Sequence, residues 1–166
     1  LAALGLGAGG DIAGYYNDAS SGDTLGFLRT ADGMITAFAC RHKTDTEAYA
    51  INAKDAIVGY CSSSVGSEVG FERTRGGRIK TIVIPGATET VAVGINDKGQ
   101  IAGTYNTDTW PYVLFHGFVG SPTSGFTTFD VPGGSETDPS GINNSGQITG
   151  NYFDSSGYTY GFILTP

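Results

Sequence analysis

The amino-acid sequence predicts an all-β, β-propeller-like chain of four repeats of about 45 residues, with four-stranded units and an incomplete last one. Three observations predict it. The phrase Ile-x-Gly-x-Tyr recurs as Ile12-Gly14-Tyr16, Ile57-Gly59-Cys61, Ile101-Gly103-Tyr105 and Ile148-Gly150-Tyr152, at spacings of 45, 44 and 47. A Gly-Phe pair follows each copy, at Gly26-Phe27, Gly70-Phe71, Gly117-Phe118 and Gly161-Phe162. Glycine supplies 27 of 166 residues while only 15% are charged, which suits tight turns and short strands rather than helices or disorder.

Each repeat, taken as roughly 1–46, 47–89, 90–137 and 138–166, breaks into strands in a fixed order. A short strand of small residues comes first ("AYAIN", "VAVGIN", "PSGIN"). The Ile-x-Gly-x-Tyr strand is second: its period of two puts Ile, Gly and Tyr on one face, and the Gly leaves room for a neighbouring sheet or ring. Between them stands a corner such as "NDKGQ" or "NNSGQ", where Asn caps the turn with its side chain and Gly supplies positive φ. No helix pattern follows that Gly, which argues against a phosphate cradle. The Gly-Phe strand is third. The fourth carries paired apolar residues, Phe38 with Cys40, Ile82 with Ile84 and Phe129 with Val131. The last repeat stops at "GFILTP", before its fourth strand, so an unpaired edge is expected there beside Phe162 and Leu164. A β-solenoid is the competing architecture, but its coils are usually shorter.

Charge and hydropathy exclude several partners. Nine Lys and Arg face sixteen Asp and Glu, for a net charge of -7 and no basic run, so nucleic acid and anionic membrane are poor partners. No apolar stretch reaches the length of a spanning helix, and no membrane insertion is expected. The opening "LAALGLGAGG" has a signal-peptide flavour, yet Leu6 to Asn17 aligns without gaps to Ile95 to Asn106 and belongs to the first repeat. With no Met at residue 1, processing or trimming upstream is expected.

Cys40 stands where other repeats have Ile84 and Val131, and Cys61 where they have Tyr16, Tyr105 and Tyr152. Both departures fall at strand ends that, in an up-and-down unit, exit on the same face of neighbouring units, which reads as a disulfide and an export compartment. Two buried free thiols are the alternative, and a metal pair has no clustered histidine to support it.

The phrases "GINDKGQIAGTYN" (94–106), "HGFVG…FTTFDVPGGSETDPSGINNSGQITGNY" and "YGFILTP" resemble the HAF-type extracellular repeat of secreted bacterial proteins. The resemblance covers the whole chain, is stronger over 78–166 than over 1–50, and implies export and repetition. It brings no catalytic residues. The residues themselves offer little chemistry either. His116 occupies the place of Leu25, Val69 and Tyr160 and reads as a packed side chain; His42 reads as part of a solvated loop; "GSEVG" is not a nucleophile elbow.

Binding surfaces are easier to find. Trp110 and Tyr112 in "NTDTWPY", and Tyr158 and Tyr160 in "FDSSGYTY", offer flat apolar faces beside polar groups, suited to glycans or protein partners. Calcium is a weaker possibility: Asp18, Asp23, Asp108 and Asp154 share equivalent loops but not the spacing of a dedicated calcium loop. The expectation is a non-enzymatic, secreted or cell-surface module that joins other copies of itself as a homo-oligomer or filament. A carbohydrate-binding module is the first alternative, and a glycoside hydrolase using paired carboxylates the second.

Overall fold

A computed structural model describes residues 1–63, 66–107 and 113–166. These residues form fifteen strands and no helix. The first unit holds β1 (Ala2–Leu6), β2 (Ile12–Asn17), β3 (Thr24–Arg29) and β4 (Ile35–Phe38). The second holds β5 (Asp45–Ile51), β6 (Ile57–Ser63), β7 (Gly66–Arg73) and β8 (Ile79–Ile82), and the third β9 (Glu89–Ile95), β10 (Ile101–Asn106), β11 (His116–Ser121) and β12 (Gly125–Phe129). The fourth has three strands, β13 (Gly134–Ile142), β14 (Ile148–Asp154) and β15 (Thr159–Leu164). Within each unit, successive strands pair antiparallel. A single parallel bridge, Thr24 to Asp45, fuses the first two units into one eight-stranded sheet; the others are separate sheets.

The same irregularity recurs in every first strand. The register of β1, β5, β9 and β13 slips by one residue opposite the Ile-x-Gly pair of the strand beside it. The extra residues of these bulges are Leu4, Tyr49, Val93 and Ser140, and all four border one channel shared by the four units. The bulge also turns a backbone carbonyl toward the repeat glycine: a methyl on Gly14, Gly59, Gly103 or Gly150 would overlap the carbonyl oxygen of Ala2, Glu47, Val91 or Asp138. The close approach foreseen from the sequence thus comes first from the neighbouring strand of the same sheet, with the Phe27, Phe118 or Phe162 ring as the second neighbour in three units.

The core lies between units, because a single sheet has no second layer of its own to bury against. Ala13, Leu28, Phe38 and Cys40 of the first unit pack on Ile57, Cys61, Phe71 and Ile79 of the second. Val58, Ile82 and Ile84 pack on Ile101, Phe118 and Phe126 of the third. Phe129 meets Phe162 of the fourth edge-on, with ring centres 6.3 Å apart.

The fourth strands are shorter than the sequence pattern implies. They end at Phe38, Ile82 and Phe129, and the second apolar residue of each pair has left the sheet. Its amide is taken by the next unit instead. The N–H groups of Cys40, Ile84 and Val131 donate to the hydroxyls of Thr46, Thr90 and Thr137 at 3.0, 3.5 and 2.9 Å. These threonines are buried, so each latch satisfies a donor that water would otherwise have to reach.

Two residues later the chain turns with positive φ at His42, Gly86 and Gly133, at 61°, 84° and 83°. His42 is exposed and is the one non-glycine of the three. His42→Gly is expected to stabilise the protein by about 1 kcal/mol, because relief of the left-handed backbone exceeds the extra unfolded-chain entropy of glycine. The melting temperature should rise by roughly 2–4 °C. Thermal denaturation checks this, and a fall would contradict the assignment.

Candidate interaction surface

Three regions position side chains that could engage a partner: the channel mouth, the first junction, and the outer end of the fourth unit.

At the channel mouth, Asn52, Asn96 and Asn143 cap their corners: each Oδ1 accepts two backbone N–H groups of its own turn, at 3.0–3.1 Å. Their amides do something the sequence reading missed. Asn52 Nδ2 donates to the Asn96 carbonyl at 2.9 Å, and Asn96 Nδ2 to the Asn143 carbonyl at 3.1 Å, giving a ladder from unit to unit. Asp97 strengthens it, accepting from the Ala53 N–H and from Asn144 Nδ2, and those bonds hold its carboxyl below the usual range. The signal was legible: Asn recurs at 52, 96 and 143, one residue after an inward Ile.

Beside the channel, Tyr49 donates to Glu47 at 3.2 Å, and its ring meets Tyr60 edge-on. Burial first, then Glu47, pushes both phenols up, so they act as donors rather than bases. Glu68 is also raised, by burial and by the charges of Glu89 and Glu47.

At the first junction, Cys40 and Cys61 are joined by a disulfide with Cα atoms 6.3 Å apart. Cys61 lies inside β6 rather than at its end, on the face turned to the first unit. Nearby, Arg73 lies over the Phe38 ring at 4.8 Å; it is buried, its Nε and Nη1 have no hydrogen-bond partner, and burial lowers its pKa. His116 is half-buried, pairs with Asp130 at 2.8 Å and packs on Tyr105. The spacing gave no hint of the Asp130 partner, which directly follows β12.

Of the four aromatic candidates, Trp110 and Tyr112 lie outside the described residues, as does Asp108. Tyr158 and Tyr160 are exposed, and Tyr160 stacks on Tyr152 with ring centres 5.3 Å apart. The loop carboxylates serve their own turns: Asp18 accepts from Ser20 and Ser21, and Asp154 from the N–H groups of Ser156 and Tyr158. Among the described residues, no group of three His, Cys, Asp or Glu side chains gathers to hold a metal ion.

The outer edge of β15 has no strand beside it among the described residues. In the first and third units, the Phe38 and Phe129 rings lie over Gly26 and Gly117; Gly161, their equivalent, has no such cover. Of the two residues expected at this edge, Phe162 is half-buried against Phe129 and Leu164 is exposed, and Ile163 between them is more exposed still, at 70%.

No protein-family model matches the chain, and no curated protein matches it. No helix of the described residues is long and apolar enough to cross a membrane.

Proposed function

We propose that the chain is a propeller-like repeat module of the HAF type, extracellular or at the cell surface, that works in structural self-association rather than catalysis. One observation carries this reading. Four equivalent units border one channel, as blades around an axis would, while the outer edge of β15 and the uncovered Gly161 leave room for a further strand. A bare edge of N–H and C=O groups recruits strands from other chains. The disulfide supports an oxidising compartment.

Light scattering over a range of micromolar concentrations tests the reading. The expected mass rises above the 17.2 kDa of one chain; a single-chain mass throughout removes it. Sugar binding is the second reading, supported by the exposure of Tyr158 and the Tyr152–Tyr160 stack. A glycan array without a response would exclude it.

A further inference from the structure

The junction between the first and second units differs from the two later ones in its charge. A cavity of about 340 Å³ opens there, between the chain that leaves β4 and the face of β7 and β8 turned to the first unit. Val69, Ile79 and Thr81 form one wall, and Ala39, Arg41 and Lys43 the other. The Cys40–Cys61 bond ties the second wall to the second unit, so the two walls are held at a fixed separation.

The repeat allows these positions to be compared from junction to junction. Arg41 and Lys43 fall where the next junction has Pro85 and Ala87 and the last has Pro132 and Gly134. Arg73 pairs with Ile57, and its equivalents beside Ile101 and Ile148 are Gly120 and Leu164. Three of the nine Lys and Arg of an acidic chain therefore gather at one junction, in positions that are uncharged at the two others. The same segment holds His42 in left-handed backbone where its equivalents are glycine, a strain of the kind that binding sites retain.

Arg73 is the least ordinary of the three cations. It stands directly opposite Ile79, so its side chain rises from the cavity-facing side of β7. Its Nη2 lies 3.5 Å from where a methyl on Gly77, another lining residue, would stand. The residue is only 7% exposed, and its Nε and Nη1 have no hydrogen-bond partner among the described residues. The ion pairs of those residues are Arg75–Asp55 and His116–Asp130, so none of the three cations is paired with a carboxylate. A buried guanidinium without an acceptor is costly to keep. The Phe38 ring covers one of its faces and leaves the N–H edges in the plane where carboxylate oxygens bind.

We propose that this cavity binds a small organic carboxylate with an apolar body. The carboxylate accepts from Arg73 Nη2 and the N–H beside it, Arg41 and Lys43 supply further attraction from the facing wall, and the body lies against Ala39, Val69 and Ile79. Few placed charges on a largely apolar wall suit such a ligand better than a bare oxyanion. The site is separate from self-association and stands whether or not the chains associate.

Benzoate is the probe, titrated into the oxidised protein by calorimetry and amide NMR. One site per chain is expected, with shifts concentrated in 39–43 and 69–81 and a higher melting temperature. Benzyl alcohol, of similar shape without the charge, should not bind. Arg41→Ala with Lys43→Ala should weaken benzoate binding about tenfold and leave melting near that of the parent. Arg73→Met should abolish binding and, without benzoate, melt no lower than the parent, because an unpartnered charge is removed. Should Arg73→Met fail to fold, Arg73→Lys keeps the charge without the planar edge and is expected to weaken binding about tenfold. Absence of both heat and shifts, or equal binding of benzyl alcohol, would overturn the inference. Phosphate bound as tightly as benzoate would overturn the apolar body, and benzoate binding unchanged in the Arg73 variants would overturn the arginine as its partner.

Discussion

Gly103→Ala is expected to destabilise the protein by about 3 kcal/mol or more, at the upper end of what overpacking costs. The added methyl would overlap the Val91 carbonyl oxygen and press on the Phe118 ring at the same time. Neither neighbour can withdraw easily. The carbonyl belongs to β9 just before its bulge, and Phe118 is fully buried in the junction between the second and third units. Moving either one disturbs both the β9–β10 pairing and the interunit core. The melting temperature should fall by roughly 6–12 °C, a few degrees for each kcal/mol in a chain of this length. Gly76→Ala is the control: a methyl there meets nothing within 4 Å, and its effect should stay within about 0.5 kcal/mol. Equal effects of the two changes would refute the role given to the bulge.

Removing the disulfide should have a comparable effect. Cys40 and Cys61 close a loop with a sequence separation of 21, and in the chain-entropy account such a cross-link contributes about 3 kcal/mol by restricting the unfolded chain. Cys40→Ala with Cys61→Ala is therefore expected to lower the melting temperature by roughly 10 °C under oxidising conditions. Alanine is the right replacement because both positions are buried, and serine would add an unmet hydroxyl. Reducing agent should lower the parent's melting temperature and leave the double variant's unchanged. A parent insensitive to reductant, or two thiols alkylated without it, would contradict the bond.

Most of the strand order was legible because Ile, Gly and Phe each recur at fixed offsets, and periodicity of two identifies a strand without reference to tertiary contacts. The bulges were not legible. An extra residue such as Val93 looks like any other member of its apolar run, and only the pairing of β9 with β10 reveals it. The end of each fourth strand was missed for a related reason. Phe38-x-Cys40 alternates as a strand does, but a threonine six residues on, in the next unit, captures the Cys40 amide and draws the chain out of the sheet. The candidate surface divides the same way. The incomplete fourth unit could be counted from the sequence, whereas the meeting of Arg41 and Lys43 with Val69 and Ile79 depends on which faces pack together.

The threonine latches also set where the molecule can be divided. Thr46, Thr90 and Thr137 lie in the first strand of one unit and hold the backbone that leaves the unit before, and both buried clusters likewise draw on two neighbouring repeats. The element that is cooperative is consequently the seam between repeats, so the thermodynamic module is out of phase with the genetic one. Cutting or permuting the chain at a repeat boundary severs a seam, while a graft at a hairpin tip such as Asp18–Asp23 or Asp154–Tyr158, where the turn closes on itself, leaves every seam whole.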